Sequence, residues 1–499
     1  MEILNNLLLG FQVVLTFQNL FFCLIGVFVG TLVGVLPGIG PIAAMAILLP
    51  ATFYLSPIAA VITLSGIYYG SQYGGSTTAI LLNMPGESAS VVTCLDGHKM
   101  ARKGRGGAAL AVAALASFFA GTVATLLIAF VGPPLAGLAI NFTTPDYFSL
   151  LVLGLVGAVV LAQGSLLKAL AMTFLGLFLG LIGTDLNSGV ARLTGGMQEL
   201  SDGIGVTAMA IGLFGITEIL RNLEQPTGPQ RIEVVGRLMP SREEFRRATP
   251  AALRGTALGS ILGLLPGGGA LLASFAAYAT EKRLSKTPKE FGEGAVEGVA
   301  GPEAANNAAA QTSFLPMLTL GLPSNPVMAL VISALILQGI TPGPQIVLNQ
   351  PELFWGLIAS MWIGNLMLVI LNLPLVGMWV SIFKIPYRLL FPPILLICCI
   401  GVYSEGNSEF DILLLVVLSM AGFLTFKLGC ESAPLILGFI LAPMIEGSLR
   451  RSLLISGGDP MTFLYHPISA VLLSLAVVLL VAVLLPAFRA TREIAFKDA

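Results

Sequence analysis

The chain begins with a long stretch that carries no charge. Between Ile3 and Gly86 there is no Asp, Glu, Lys or Arg. Water could not keep so apolar a run dispersed, so lipid must be its solvent. Over all 499 residues only 10% are charged and 56% are hydrophobic, whereas soluble domains usually carry about 25% charged residues. These features exclude a soluble enzyme and predict an all-α polytopic membrane protein.

The charge balance and the small number of metal-binding side chains exclude further classes of function. A net charge of −1 leaves no clustered basic excess that could attract nucleic acid. His98 and His466 are the only histidines, and the five cysteines show no metal-ligand spacing, so we expect no metalloenzyme. The GxxxxGK[ST] loop that cradles nucleotide phosphates is missing from the sequence, so we expect no ATP hydrolysis.

About twelve apolar windows are long enough to cross a bilayer as helices, especially where neighbouring helices cover their ends. The N-terminal window follows a start without a basic segment, so we expect it to be retained as a membrane segment. The windows are 7–28, 57–83, 108–131, 147–164, 166–184, 203–221, 304–340, 352–383, 389–403, 410–426, 432–446 and 467–487.

Two more apolar stretches, 29–56 and 255–281, are interrupted midway by Pro and Gly. Arg254 flanks one end of the second stretch, and Lys282 with Arg283 flanks the other. Basic connections face the cytoplasm, so both ends of this stretch belong on one side of the membrane. A re-entrant hairpin that turns at residues 265–269 meets this condition, and its turn would line a protein or water-filled cavity. The alternative is one kinked span.

The interrupted stretches share a repeated motif. Gly30-Thr-Leu-Val-Gly-Val-Leu-Pro-Gly-Ile-Gly40 matches Gly259-Ser-Ile-Leu-Gly-Leu-Leu-Pro-Gly-Gly-Gly269 at one constant offset. A weaker echo follows, in which Thr78-Ala-Ile-Leu-Leu-Asn-Met-Pro-Gly86 resembles Pro316-Met-Leu-Thr-Leu-Gly-Leu-Pro-Ser324. Such internal similarity indicates two structural repeats.

Flanking charges indicate that the two repeats are inverted. Residues 50–57 after the first motif are uncharged, whereas residues 282–289 after the second motif are basic. After the echo the order reverses, because residues 99–105 are basic and residues 338–345 are uncharged. Inverted repeats with broken helices are typical of secondary transporters with a site near the midplane. The predicted units are an N-terminal membrane segment (1–28), two inverted repeats (29–221 and 255–446), a cytoplasmic linker between them (222–254), and a C-terminal loop, helix and tail (447–499).

Polar residues at membrane depth mark a candidate substrate site. The uncharged segment from Tyr68 to Thr78 holds hydroxyls, an amide and glycines, and a half-helix beginning near Ser76 would aim its positive end at an anion. The alternative is close helix packing through small residues. Together with the two Pro-Gly turns and a later loop, the predicted substrate-binding residues are Pro37, Gly38, Gly40, Ser71, Gln72, Gly74, Gly75, Ser76, Thr77, Pro266, Gly267, Gly268, Gly269, Ser324 and Asn325.

A second polar segment suggests a site for the coupling ion. These motifs contain no Lys or Arg, so the charge of an anionic substrate would be balanced by co-bound cations. The predicted coupling-ion residues are Glu303, Asn306, Asn307 and Thr312, with a possible sodium site at Asn306 and Asn307. The alternatives are a helix cap for the asparagines and a first-turn position for Glu303. Five other acids near membrane ends are expected at solvated boundaries: Glu87, Asp96, Asp185, Glu218 and Glu431.

The motifs resemble those of the large membrane subunit of the tripartite tricarboxylate transporter family over nearly the whole chain. The segments that carry this resemblance are 34–40, 69–76, 83–87 and 302–307. The resemblance implies a multi-pass protein of the bacterial inner membrane, with both termini expected in the cytoplasm. Its implied partners are a small membrane subunit and a periplasmic solute-binding protein. It implies uptake of carboxylates such as citrate, or related di- or aromatic carboxylates, driven by Na⁺ or H⁺, with no other cofactor.

Two rival functions are a passive channel and a membrane-embedded enzyme acting on lipids. An enzyme would need a nucleophile with a base, and Ser76 has no His or Lys close to it in sequence, so we expect no enzymatic activity. For the transporter, either a sliding transport domain or a rocking of two halves agrees with the sequence.

Overall fold

The computed structural model describes residues 2–36, 40–162, 165–185, 188–224, 233, 235–267, 269–383 and 387–484. In these residues it is an all-α protein, whose one strand pairing joins β1 (Gly183–Thr184) to β2 (Ala191–Arg192). Seven helices are long and apolar enough to cross a membrane. They are Phe17–Val35, Ala101–Ala139, Thr144–Leu161, Val206–Glu224, Pro351–Asn372, Glu409–Lys427 and Ser432–Ile455. The chain is therefore a multi-pass membrane protein.

The helices in chain order are α1 (Glu2–Val14), α2 (Phe17–Val35), α3 (Gly40–Thr52), α4 (Pro57–Leu82), α5 (Val91–Thr93), α6 (Gly106–Ala139), α7 (Thr144–Leu161), α8 (Leu166–Gly180), α9 (Val206–Ala210), α10 (Thr217–Glu224), α11 (Arg242–Leu262) and α12 (Gly269–Leu284). They continue with α13 (Glu297–Thr312), α14 (Phe314–Leu320), α15 (Pro326–Leu337), α16 (Pro344–Asn349), α17 (Pro351–Asn372), α18 (Val376–Ile382), α19 (Tyr387–Gly406), α20 (Glu409–Lys427), α21 (Ser432–Ile455), α22 (Thr462–Tyr465) and α23 (Pro467–Leu484). Wider helical turns at Cys94–His98, Ala101–Arg105 and Ile211–Ile216 connect some of them.

Two windows predicted as single crossings, 7–28 and 304–340, are wrong because helix caps divide them. Thr16 lies between α1 and α2, and its hydroxyl accepts a hydrogen bond from the backbone N–H of Asn19. In the second window Gly321 ends α14 in the left-handed conformation, and the Asn325 side chain caps α15. A capping side chain starts a new helix wherever it satisfies the free N–H groups of the first turn. Window 352–383 is likewise divided, between α17 and α18.

Glycine seams hold two pairs of parallel helices together. Gly26, Gly30 and Gly34 of α2 lie against the backbone of α4 so closely that a Cβ would overlap it. Gly255, Gly259 and Gly263 of α11 lie in the same way against α13. Small residues at every fourth position let helix backbones approach, as is common in membranes. The two seams occupy matching places in the repeated motif, so each half contains the same helix pair.

The helices α4 and α13 cross in opposite directions. The Tyr68 ring lies 6.3 Å from the ring of Phe314, which begins α14 just after α13 ends, while Ser76 donates a hydrogen bond to Glu303 of α13 at 2.6 Å. As the residue number along α4 increases, the residue number of the contacting side chain decreases. The two segments are therefore antiparallel. Since α4 and α13 hold the places that the sequence predicts to be equivalent, their opposite directions are those expected of inverted repeats.

Connections of like charge character meet at the same end of the molecule. At one end Arg105 pairs with Glu244 at 2.6 Å, and Arg247 pairs with Glu290 at 2.6 Å. The basic segments 99–105, 235–254 and 282–297 thus lie together, and the Arg247 hydrogen bond lowers the pKa of Glu290. At another position Gln338 donates to the Thr52 carbonyl oxygen at 2.7 Å, which joins the two uncharged connections.

The stretch 255–281 folds as a hairpin. α11 and α12 flank its turn, and Arg254 forms a 2.6 Å ion pair with Glu281. The ends of a straight helix of this length would be about 40 Å apart, so the alternative of one kinked span is excluded. In the other interrupted stretch, 29–56, α3 packs against α19 in the C-terminal half of the chain. A Cβ built at Gly401 of α19 would lie 3.1 Å from the carbonyl oxygen of Ile47 in α3.

Candidate functional site

The polar segment of the first repeat lies within α4, and nearly all of that helix is buried. From Ala59 to Leu81 every residue of α4 is buried, although its hydroxyls, amide and glycines are unusual at membrane depth. α4 is continuous from Pro57 to Leu82, so the predicted half-helix beginning at Ser76 is wrong. Backbone N–H groups inside a helix are already bonded, and only side chains of this segment remain to bind a ligand.

Glu303 is the centre of the polar contacts between the halves. Its side chain is 1% exposed. One carboxylate oxygen accepts the 2.6 Å hydrogen bond from the Ser76 hydroxyl, and the other accepts a hydrogen bond from Thr93. Pro302 and Glu303 lie inside α13, so Glu303 is not a first-turn residue and faces the first repeat.

Asn306 connects α13 to a second carboxylate. Its amide Nδ2 donates to Glu87 Oε1 at 3.3 Å, while the backbone N–H of Ala89 donates to the other oxygen of Glu87 at 2.9 Å. The neighbouring Asn307 donates to the Ser117 hydroxyl of α6 at 2.6 Å. Both asparagines lie within α13 and are buried, so the alternative of a helix cap is excluded.

Thr312, the fourth predicted coupling-ion residue, lies elsewhere. It is nine positions beyond Glu303 in the same helix, which is about 14 Å along the axis. Its hydroxyl donates to the Ala308 carbonyl oxygen at 3.0 Å, and its side chain faces Gly263 of α11. The structure therefore separates Thr312 from the Glu303 cluster.

The second Pro-Gly turn contacts a neutral polar cluster. The Gly267 N–H donates to the Ser324 carbonyl oxygen at 2.7 Å, and the Ser324 hydroxyl donates to the Ser313 carbonyl oxygen at 2.9 Å. Asn325 donates to the Tyr68 hydroxyl of α4 at 3.4 Å. Pro266 packs against Gly157 of α7. The turn thus contacts both repeats through Pro266 and Gly267, while its Leu264 and Leu265 side chains are exposed.

A helix begins directly after each of the two Pro-Gly motifs. α3 starts at Gly40 and α12 at Gly269, and both glycines have positive φ values, of 66° and 46°. A Cβ built on either would meet no atom within 4 Å, so both helix N-termini have open space beside them. Pro37, Gly38 and Gly268, also predicted to bind substrate, lie outside the described residues.

The remaining predicted binding residues of α4 have different surroundings. Gly74 packs against α2 and Gly75 against the side chain of Glu87, which is the small-residue packing given as the alternative. The Ser71 hydroxyl donates to the Tyr68 carbonyl oxygen of its own helix. Gln72 is buried, and its Oε1 has no hydrogen-bond partner among the residues that the structure describes.

A small cavity lies beside Ser76. It measures about 10 Å³ and is lined by Tyr73, Ser76, Thr77, Leu110, Ala113, Ala114, Ser117 and Asn372. This volume holds about one water molecule, whereas pockets for small organic ligands measure about 300–1,000 Å³. A carboxylate would enter beside Ser76 only if α4 and α6 moved apart.

The sequence interpretation missed several members of the site. Glu87 and Asp96 were expected at solvated boundaries, as was Asp185, yet these three are buried, with exposures of 8%, 0% and 4%. Asp96 accepts hydrogen bonds from the Tyr278 hydroxyl and from the backbone N–H groups of Gly292, Gly294 and Ala295. Neither Thr93 nor Ser117 lies in a recognisable sequence motif. Only the Pro-Gly-Glu sequence at 85–87 could have indicated Glu87.

The chemistry of the cluster is that of oxygen ligands without fixed positive charge. Among the described residues no Lys or Arg forms an ion pair with Glu87 or Glu303. In the same part of the chain no group of three or more His, Cys, Asp or Glu could hold a metal ion. Carboxylate, amide and hydroxyl oxygens suit a proton or a hard monovalent cation.

Comparisons with known proteins agree with the resemblance of the motifs. A family model described as "Tripartite tricarboxylate transporter TctA family" matches residues 20–437. The "Uncharacterized 52.8 kDa protein in TAR-I ttuC' 3'region" of Agrobacterium vitis is 57% identical over 499 residues, covering 100% of this chain and 99% of that protein. The "Uncharacterized protein in TAR-II ttuC' 3'region" of the same organism is 59% identical over 240 residues, covering 48% of this chain and 99% of that protein. No solved structure shows significant similarity to the chain.

Proposed function

Because the chain belongs to the tripartite tricarboxylate transporter TctA family, we propose that it is the transport subunit of an ion-gradient-driven secondary transporter. It imports a tricarboxylate such as citrate, or a related di- or aromatic carboxylate, across the bacterial inner membrane by alternating access. A small membrane subunit and a periplasmic solute-binding protein work with it. The coupling ion is Na⁺ or H⁺.

The antiparallel crossing of α4 and α13 carries this proposal. Equivalent helices of the two halves run in opposite directions there, and the contact of Ser76 with Glu303 joins the two halves at a buried polar position. This geometry supports two inverted repeats, 29–221 and 255–446, as the working parts of the transporter. Transporters of that construction bind substrate at the repeat interface and expose it to each side in turn.

The two turns supply the features that an anion needs. α3 and α12 each begin at a glycine with open space beside it. The N-terminus of a helix carries about half a positive charge and free N–H groups, which favours a carboxylate. The neutral cluster of Ser324, Asn325 and Tyr68 adds hydrogen-bond donors without fixed charge. A carboxylate held there needs a cation elsewhere, and that requirement explains the coupling to Na⁺ or H⁺.

The two rival functions receive less support. Across the halves the Ser76 hydroxyl donates to the carboxylate of Glu303, and not to a His or Lys of the kind that commonly activates a serine nucleophile. The family is a transporter family, so no enzymatic activity is proposed. A passive channel would need a continuous opening, whereas the cavity beside Ser76 measures about 10 Å³.

The test is uptake into proteoliposomes that contain the chain and its small membrane subunit. Radiolabelled tri-, di- and aromatic carboxylates are offered with the cognate binding protein under imposed Na⁺ or H⁺ gradients. We expect uptake of at least one carboxylate that depends on one gradient and needs no ATP. Counterflow of labelled substrate should occur, since a carrier exchanges substrate and a pore does not. Uptake without gradient dependence or counterflow would contradict the proposal.

A further inference from the structure

Two buried carboxylates share the crossing of α4 and α13. Glu303 accepts a hydrogen bond from Ser76, and the Glu87 side chain packs against Gly75, the preceding residue of α4. Asn306, which donates to Glu87, lies one turn from Glu303 on α13. Both acids therefore lie in one small region between the halves.

Both side chains lie among groups that can donate hydrogen bonds to a carboxylate. The hydroxyls of Ser76 and Thr93 donate to Glu303, and the groups that donate to Glu87 are a backbone N–H and an amide. Two negative charges in an apolar interior are costly unless positive charge lies close by. Other buried acids have such partners, since Glu281 pairs with Arg254 and Asp185 pairs with Arg450. Glu87 and Glu303 have no such ion pair among the described residues.

Unpartnered amide oxygens point to what is bound between them. Asn306 Oδ1 and Asn307 Oδ1 are buried and have no hydrogen-bond partner in the described structure. Asn306 Nδ2 donates a hydrogen bond to Glu87. The nitrogen and the oxygen of this side-chain amide are bonded to the same carbon atom, so Asn306 Oδ1 also lies close to Glu87. Buried amide oxygens without a partner need an explanation, and these two belong to side chains that donate to Glu87 and to the backbone carbonyl oxygen of Glu303. A hard cation, which prefers several oxygen ligands, would supply it.

We propose that Glu87 and Glu303, with the side-chain oxygens of Asn306 and Asn307, form a binding site for one Na⁺ ion. The hydroxyls of Ser76 and Thr93 position Glu303. This inference builds on the proposed function, because it identifies where the coupling ion binds. It also moves Ser76 from the substrate site to the ion site, since an anionic substrate would be repelled by Glu303.

The equivalent positions of the other repeat indicate why we expect one such site and not two. At the constant offset that aligns Thr78 with Pro316, Glu87 corresponds to Asn325 and Asn306 corresponds to Tyr68. The equivalent contact exists, because Asn325 donates to Tyr68 at 3.4 Å. Glu303 corresponds to Ser65. The same arrangement thus occurs twice, charged in one copy and neutral in the other. The charged copy suits the cation, and the neutral copy suits the substrate.

The test measures cation binding without transport. The full chain in lipid nanodiscs is titrated with radioactive Na⁺, and its thermal unfolding is followed in sodium chloride and in choline chloride. We expect one bound Na⁺ per chain and a higher Tm in Na⁺ than in choline. Glu87→Gln and Glu303→Gln should each weaken Na⁺ binding by about tenfold or more, a change of about 1.4 kcal/mol or more. Glu218→Gln is the control, because Glu218 pairs with Arg221 on α10.

Two results of the binding experiment would overturn the inference. Unchanged Na⁺ affinity in Glu87→Gln would remove Glu87 from the site, and Asn306→Ala provides a second variant if Glu303→Gln does not fold. If lower pH stabilises the wild type while Na⁺ has no effect, the pair takes a proton and the sodium assignment is wrong. Uptake is measured separately. A chain that binds Na⁺ here but carries no carboxylate would contradict the proposed function and leave the ion site intact.

Discussion

Single hydroxyl groups connect the two halves of the molecule. The Ser76 hydroxyl lies within hydrogen-bond distance of both the Gln72 carbonyl oxygen of its own helix and Glu303 of the other half, at 2.8 and 2.6 Å, and its single hydrogen is shared between these two acceptors. A hydrogen bond to a charged group contributes about 1.5–3 kcal/mol, more than a neutral one. This difference makes the contribution of Ser76 measurable.

We expect Ser76→Ala to lower the Tm and to raise the Na⁺ concentration needed for half-maximal uptake. The lost hydroxyl leaves one oxygen of the buried Glu303 without its donor, which destabilises the charged form. Ser333→Ala is the matched control, because the Ser333 hydroxyl is also buried but bonds only within α15. Thermal unfolding and uptake at graded Na⁺ would check both variants. Equal behaviour of the two would show that the bond to Glu303 has no role in coupling.

The glycine of the second turn has a demanding conformation. Gly267 has a φ of 78°, and a Cβ there would lie 2.6 Å from Ala158 Cα. We expect Gly267→Val to abolish uptake and to destabilise the fold by about 1–3 kcal/mol from backbone strain alone. Gly137→Val is the control, because a Cβ at Gly137 meets nothing within 4 Å. Uptake and thermal unfolding are the measurements, and normal transport by Gly267→Val would remove this turn from the mechanism.

At this scale the sequence identified the polar side chains that have no use in lipid, among them Glu303, Asn306 and Ser76. It missed Glu87, Thr93 and Ser117, because their importance depends on which other helix they face. Burial of Glu87 follows from the fit of its loop against Gly75, and hydrophobic periodicity contains no information about such contacts. The importance of a polar residue within an apolar run can be predicted from its residue type alone. The importance of a residue that acts through contact with a residue distant in sequence cannot.

At the scale of elements, the breaks caused by proline and glycine were predictable and those caused by caps were not. The turn at 263–267 follows from Leu-Pro-Gly and separates α11 from α12. The sequence interpretation treated 304–340 as one apolar window and did not predict that α14 ends at Gly321 or that α15 starts after Asn325. A cap is made by one side chain and one backbone N–H, so average hydropathy does not reveal it.

The hairpin of α11 and α12 should depend on its ion pair. Arg254 is 42% exposed and Glu281 is 3% exposed, so Arg254→Ala leaves a buried carboxylate without its partner. We expect a loss of about 1–3 kcal/mol in the free energy of unfolding, less than for a fully buried pair because solvent screens the arginine. Exchanging the charges, with Arg254→Glu and Glu281→Arg together, should restore part of that loss. Thermal unfolding of the three proteins measures it.

The control for this prediction is Arg221→Ala. Its pair with Glu218 lies within one helix, with side chains 49% and 29% exposed, and such pairs contribute about 0.5 kcal/mol or less. If Arg254→Ala were as mild as Arg221→Ala, the ion pair would not hold the two arms together, and packing alone would account for the hairpin.

At the scale of the whole molecule, the proposed inversion of two repeats would account for both the geometry and the chemistry. Two copies of one arrangement face each other across α4 and α13, so the same contact recurs with different charge. The tight packing around Ser76 leaves a cavity of about 10 Å³. Under the proposed function, substrate would need a movement of one half against the other, and two inverted repeats would let such a movement open either face.

The inverted relation makes a further prediction about membrane sidedness. Thr287 lies in a basic connection and Thr341 in an uncharged one, and both side chains are exposed. Basic connections face the cytoplasm, so a cysteine at 287 should react with an impermeant thiol reagent only from the cytoplasm and one at 341 only from the periplasm. The wild-type chain is the background control, since its five described cysteines are buried or partly buried. Labelling of both positions from one side would mean that the equivalent connections share a face, and neither the inversion nor the alternating exposure of one central site would survive that result.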